Sequence, residues 1–241
     1  MSALDSADDV DALIGRPWHL VLATSNTGKQ RETNLLINGV PTVELEAFTP
    51  ASPFIEIGDT FPDIAQNKLS QLSAEFQATR RNVCWIAEHS GLLIPALAGT
   101  FGFDPFPGVR TNGWLTEDLS RELGIDSLEN RGQAQNAAIL RLMQNRRDRQ
   151  ARYVDAAAAC AINASGNTFF RTFVAHVDLV VLECEQGNEG WEYDRIVALP
   201  GSELSLASLS PEDKATFSAR AKIYSELVAW LTEMEGSNAS K

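Results

Sequence analysis

The residue types that could do chemistry are concentrated at a few points of the chain. Glu88, His89 and Ser90, followed by Gly91, come at the carboxyl end of the apolar run Val83–Ala87. A carboxylate, an imidazole and a hydroxyl in succession could ligate a metal, move a proton or hold a ligand. They could equally cap a strand and open a polar turn at Gly91, and the segment alone favours that plainer reading. Thr24-Ser25-Asn26-Thr27-Gly28-Lys29 follows a second apolar run, Trp18–Ala23, and leads into the helical Gln30–Ile37. Strand, short polar loop and helix start offer free backbone N–H groups and the positive end of a helix dipole to an anion. Ala23 stands where a strict P-loop has its first glycine, and Gln30 where it has the Mg²⁺-binding Ser or Thr. By itself the loop is balanced between an anion site and a plain connection. Lys68 interrupts the apolar stripe Phe61, Ala65, Leu72, Phe76, and either snorkels outward or faces a cleft.

The elements that must position these residues follow from pattern and punctuation. Trp18–Ala23 and Val83–Ala87 read as buried strands, Thr42–Glu46 as an alternating one, and Phe54–Ile57, carrying Glu56, as a short extended piece. Thr60–Thr79 reads as a helix opened by a Thr60/Asp63 capping box with Pro62 in its first turn. After the turn at Gly91, Leu92–Leu97 reads as a hairpin arm and Gly99–Gly113 as an irregular loop. Thr116–Leu123 and Gln133–Asn145 read as helices, with Arg146, Arg147 and Arg149 complementing the dipole of the second. Tyr153–Ile162 and Thr168–Cys184 read as strands joined by a hairpin turn at 163–167, with His176 structural in mid-strand. Ser210-Pro211 opens a segment holding Lys214, and Ser218-Ala219-Arg220 opens the last helix. Strands alternating with helices define an α/β fold.

Composition bounds the function. The chain has 241 residues, 44% hydrophobic and 22% charged, which excludes disordered and membrane classes. A net charge of −12, from 32 acidic against 20 basic residues, argues against a nucleic-acid polymer as partner. Any polyanion bound must be small and met by a local group of cations. Cys84, Cys160 and Cys184 lack CxxC spacing and sit in apolar surroundings, so they read as buried thiols of a reducing compartment. No run reaches transmembrane length, and Met1–Asp11 is small and acidic, unlike a signal peptide. The expectation is a cytoplasmic protein with residues 1–16 as a tail and 17–241 as one large domain or two lobes sharing a sheet.

In order, the chain presents Ala23-Thr24-Ser25-Asn26-Thr27-Gly28-Lys29, Glu56 with Gly58, Thr60-Phe61 through Lys68, Glu88-His89-Ser90-Gly91-Leu92, Gly190-Trp191-Glu192-Tyr193-Asp194, then Lys214, Ser218 and Arg220. This order resembles the inosine triphosphate pyrophosphatase family, also called Ham1-like, whose pattern runs A-T-x-N-x-G-K, E-x-G-x-T-F-x-E-N-A-x-x-K, [DE]-D-S-G-L, F-G-[YW]-D and K…S-H-R. The related Maf-type pyrophosphatases open on a serine- and arginine-rich motif that is absent here. The resemblance implies that residues 17–241 form a single domain of two lobes, with an elongated, mixed, twisted sheet flanked by helices, a nucleotide cleft between the lobes, and a homodimer. It implies hydrolysis of a non-canonical purine NTP to NMP and pyrophosphate, assisted by Mg²⁺ or Mn²⁺. On it, Thr24, Asn26, Lys29, Lys68, Ser90, Trp191, Tyr193, Asp194, Lys214 and Arg220 bind substrate, with Trp191 stacking on the base and Arg220 on its keto side. Glu56 and His89 hold the metal, and His89 with Glu88 carries the catalysis.

The chain departs from that pattern at defined positions. The second carboxylate of [DE]-D-S-G is His89, the histidine of S-H-R is Ala219, and the glycine of F-G-[YW]-D is Glu192. The E-N-A of the helix is Asp63-Ile64-Ala65. An imidazole suits Mn²⁺ better than Mg²⁺, and a neutral one could act as general base. The alternative from another class is a catalytically impaired family member that binds nucleotide. A kinase using Gly28-Lys29 is a third reading, weakened by the missing Ser/Thr.

Overall fold

The computed structural model describes residues 17–77, 81–125, 130–188 and 190–238. The tail expected over 1–16 and the end of the helix expected to reach Thr79 lie outside the described residues.

Strand β1 (Trp18–Ala23) is followed by helix α1 (Thr27–Ile37) and strand β2 (Val43–Phe48), then α2 (Phe61–Ser70), the short α3 (Ser73–Gln77) and β3 (Val83–Leu93). After short 3-10 turns come α4 (Glu117–Glu122), α5 (Arg131–Leu142), β4 (Gln150–Ile162), β5 (Thr168–Val181) and β6 (Val197–Ala198), and the chain closes with α6 (Pro211–Ala215) and α7 (Ala219–Asn238). The six strands form one sheet in the order β2-β1-β3-β4-β5-β6. β1 runs parallel to both β2 and β3, while β5 and β6 are antiparallel, so the sheet is mixed as expected.

The chain divides into two compact units. The first holds the described residues up to His89, together with Ala156–Val174 and the chain from Arg220 onward. Leu20, Leu22, Cys84 and Ile86 are fully buried in it, as continuous apolar runs of inner parallel strands require. The alanines of 156–159, ambiguous between helix and strand by propensity, are strand, and every one is buried. The second unit, Ser90–Asp155 with Ala175–Ala219, is built on its own core around Ile94, Phe106, Trp114, Ile139, Leu179 and Tyr193.

Four local expectations are corrected. β3 does not turn at Gly91 but runs through Glu88-His89-Ser90-Gly91 to Leu93, because Gly91 keeps an ordinary backbone conformation and Leu92 renews the apolar pattern. Phe54–Ile57 is not a strand. Its backbone is held by side-chain amides one turn apart on α2: Ile57 N–H donates to Asn67 Oδ1 at 3.2 Å, Ile55 N–H to Gln71 Oε1 at 3.0 Å, and Gln71 Nε2 to Ile55 O at 2.8 Å. The expected single helix from Thr60 is broken between Ser70 and Ser73, where the Ser70 hydroxyl takes the Asn67 carbonyl at 2.7 Å in competition with the backbone. Cys184 is exposed, while Cys84 and Cys160 are buried as expected.

Candidate active site

β1 and β3 pair in register as far as Ala23 opposite Ala87, so the loop leaving β1 lies beside Glu88. Asn26 is the N-cap of α1, its Oδ1 accepting from Lys29 N–H at 3.1 Å. The Thr24 hydroxyl accepts from Asn26 N–H at 3.1 Å, and Gln30 Nε2 donates to Thr24 O at 2.9 Å. Thr24 and Asn26 therefore shape the loop, and Ser25–Gly28 at the start of α1 are exposed. That is the anion-receptive geometry the loop sequence allows.

Consecutive side chains of a strand point to opposite faces, so the unbroken β3 sends Glu88 and His89 to different sides of the sheet. The Glu88 carboxylate meets α1 and α7. Its Oε2 accepts from Arg220 Nε at 3.2 Å and lies 3.5 Å from Lys29 Nζ, and its Oε1 accepts from the Tyr224 hydroxyl at 2.9 Å. Arg220 is held on its other side by Glu32 of α1. Burial pushes the Glu88 carboxyl up, but Arg220, Lys29 and the Tyr224 hydroxyl together hold it below its ordinary value. Arg220, 7% exposed, bonds two carboxylates, Glu88 and Glu32.

On the other face His89, 4% exposed, lies against the Phe61 ring at 5.7 Å between centroids. Lys68 does reach inward, as one of its two sequence readings required. Its ammonium bonds Glu56 Oε1 at 2.6 Å, the Glu88 carbonyl at 3.3 Å and His89 Nδ1 at 3.3 Å. Burial raises the Glu56 carboxyl, but the Lys68 ammonium above all brings it below its ordinary value, so Glu56 is ionised at neutral pH. Gly58 lets the Glu56 segment meet the α2 cap. Its φ is +144°, and a Cβ there would come within 2.6 Å of Asp63 Cβ. Glu56 and His89 are thus brought together, with Oε1 3.6 Å from Nδ1, but the Lys68 ammonium already bonds both. Among the described residues no group of three or more His, Cys, Asp or Glu is placed to hold a metal ion. One carboxylate and one imidazole with an ammonium among them do not fit a resident Mg²⁺, which wants an octahedron of oxygens.

The remaining expected residues fall in the second unit. Asp194, buried, accepts from the Tyr153 hydroxyl at 3.0 Å and Trp191 N–H at 2.8 Å, and pairs with Lys214. Burial, then the charge of Asp194, pushes the Tyr153 phenol well above its ordinary value. Trp191 is half-buried, set edge-on to Tyr193 at 5.2 Å and tilted to Tyr153 at 5.5 Å. Tyr193 is a core residue: its hydroxyl donates to Thr111 O at 2.7 Å and accepts from Trp114 Nε1 at 3.1 Å. Glu192 lies over Gly132 of α5, where a Cβ would approach its Cγ to 2.2 Å, and its carbonyl accepts from Asn136 Nδ2 at 2.9 Å. Ser90 lies half-buried on β3, and Ala219 is buried. Sequence reasoning missed Glu32, Tyr224 and Tyr153. The first lies one turn beyond Lys29 and the second one turn beyond Arg220, so helical spacing pointed at both. Tyr153 carried no such signal.

An open mixed sheet, with a capped loop where β1 meets the first turn of α1 and with cations gathered beside it, defines an α/β protein suited to a small phosphorylated ligand. The Ham1 family profile matches residues 20–230, and the chain belongs to the Ham1 family. It is 31% identical to the dITP/XTP pyrophosphatase of Geobacillus kaustophilus (strain HTA426), over 90% of this chain and 96% of that protein. It is 27% identical to the dITP/XTP pyrophosphatase of Staphylococcus aureus (strain MW2), over 88% of this chain and 95% of the relative. Among solved structures, the Staphylococcus aureus Ham1 protein superposes with a TM-score of 0.66 at 22% identity, covering 90% of this chain and 99% of the other, and shares the fold.

Proposed function

We propose that the chain hydrolyses a non-canonical purine nucleoside triphosphate, of the dITP and XTP type, to the monophosphate and pyrophosphate. The observation that carries this reading is the match to relatives named dITP/XTP pyrophosphatase along nearly the whole chain. Water adds to the α-phosphorus, the α–β anhydride bond breaks, and its oxygen leaves with pyrophosphate. Phosphate oxygens are received at the exposed start of α1 and by Lys29. Glu56 is the ionised carboxylate on hand to orient the water and take its proton. On the family pattern, Trp191 stacks on the base and Lys214 meets a phosphate. A divalent ion, Mg²⁺ or Mn²⁺, would enter with the triphosphate and would supply neutralisation of its charge.

A specific observation favours a second reading, a family member that binds nucleotide without cleaving it. His89 stands where the family pattern has a carboxylate, and it faces an ammonium rather than open space. A pyrophosphate-release screen over ITP, dITP, XTP, ATP and GTP, with Mg²⁺ and Mn²⁺ in parallel, separates the two. Release from ITP, dITP or XTP well above ATP and GTP is the expected result. Tight nucleotide binding with no release from any of them would leave the binding protein.

The chain works as a homodimer in the cytoplasm on this reading, and light scattering on the purified protein tests the first point. Three free thiols suit a reducing compartment, and no helix among the described residues is long and apolar enough to cross a membrane.

A further inference from the structure

An ammonium group has three N–H donors and no acceptor. Those of Lys68 are matched by three acceptors: Glu56 Oε1 at 2.6 Å, the Glu88 carbonyl at 3.3 Å and His89 Nδ1 at 3.3 Å. The side chain is 11% exposed, so this is an enclosed cation with a built coordination shell. Its position is the one that the Glu56 and His89 pair would give to a metal ion. Two further facts follow from the same geometry. An imidazole nitrogen facing an ammonium at hydrogen-bond distance must present its lone pair, since two N–H groups pointing at each other repel. A neutral imidazole carries one proton, which then sits on Nε2.

We propose that the Lys68 ammonium replaces a resident divalent ion between Glu56 and His89, and fixes His89 as the Nε2–H tautomer. His89 is then a positioning group whose Nδ1 is held by Lys68, not a metal ligand or a base through Nδ1. The proposal rests on reading Glu56, Lys68 and His89 as part of the hydrolytic site. It gives the exchange of carboxylate for imidazole a physical content. A carboxylate at position 89 would attract a metal ion beside Glu56, whereas a neutral imidazole held by Lys68 does not.

Nuclear magnetic resonance of the nucleotide-free protein, labelled with ¹⁵N at histidine, reads the tautomer directly, with His89→Asn identifying the His89 signals. The expected wild-type result is a protonated Nε2 and a bare Nδ1, with no selective broadening of His89 by micromolar Mn²⁺. Lys68→Met should mix the tautomers and tighten Mn²⁺ binding at least about tenfold, because a unit charge within hydrogen-bond reach has been removed. A proton on Nδ1 in the wild type, or selective broadening of His89 by micromolar Mn²⁺, would overturn the proposal, and neither readout requires a folded Lys68 variant. Pyrophosphate release is measured separately. Mn²⁺ loading of the free protein with intact release sinks this inference alone, and the stated tautomer without release from any nucleotide sinks only the activity.

Discussion

At the scale of single residues, the strongest interactions are charges taken out of water together. Arg220 is shared by Glu88 and Glu32, and removing one partner of a buried pair costs about 3–5 kcal/mol because the other charge remains buried. Arg220→Met should therefore lower unfolding free energy in urea by about that amount, while Arg220→Met combined with Glu88→Met should lose less than the single change. A double-variant loss as large as the sum would mean that the pair is not coupled. His89→Asp makes the opposite exchange on the other side of the sheet. It sets a second carboxylate around Lys68 near Glu56, and two carboxylates are what a hard divalent ion prefers. Mg²⁺ affinity of the nucleotide-free variant, measured by calorimetry, should rise at least about tenfold, and Mg²⁺-dependent pyrophosphate release should rise with it. Unchanged affinity would place the ion elsewhere.

Elements were readable where their signals are local. The Thr60 capping box is present, with Asp63 N–H donating to Thr60 Oγ1 at 3.2 Å and Thr60 N–H to Asp63 Oδ2 at 3.1 Å. Thr60→Ala should cost about 1 kcal/mol in thermal or urea unfolding. β1, its polar loop and α1 were equally plain, because a cap, a glycine and an apolar run lie within a few residues of one another. Where the deciding partner is distant, the sequence is silent. Gly91 masks the continuation of β3 that Leu92 alone hints at, and nothing near Ile55 tells that the Asn67 and Gln71 amides will hold its backbone. The Tyr153 bond to Asp194 spans 41 positions and leaves no local trace. The amide ladder carries its own prediction. Asn67→Ala with Gln71→Ala should weaken triphosphate hydrolysis by loosening the Glu56 segment while leaving the melting temperature within a few degrees, since both contacts are exposed. A large melting shift instead would make the ladder a stability device.

For the molecule as a whole, the ionisations of unit one set how stability varies with pH. The folded Glu88 carboxyl titrates below its unfolded value of about 4.3. Its contribution is therefore full above that pH and is lost as pH falls through the lower folded value. Tyr224 runs the other way: burial, then Glu88, raises its phenol well above its ordinary value, so its contribution holds below about pH 10 and is lost above it. Glu88→Gln should be less stable at neutral pH and should show a shallower decline in acid, checked by denaturant unfolding across the pH range. An unchanged acid slope would assign that decline to other carboxylates. The straight run of β3 has one more consequence. Neighbouring side chains along it are kept apart by the thickness of the sheet, so the position 89 side chain meets Phe61, Lys68 and Glu56, while the position 88 carboxylate meets the helices behind it. The reactive side of this fold can be rewritten one letter at a time without disturbing the clasp that holds its last helix, and His89 in place of a carboxylate is such an edit.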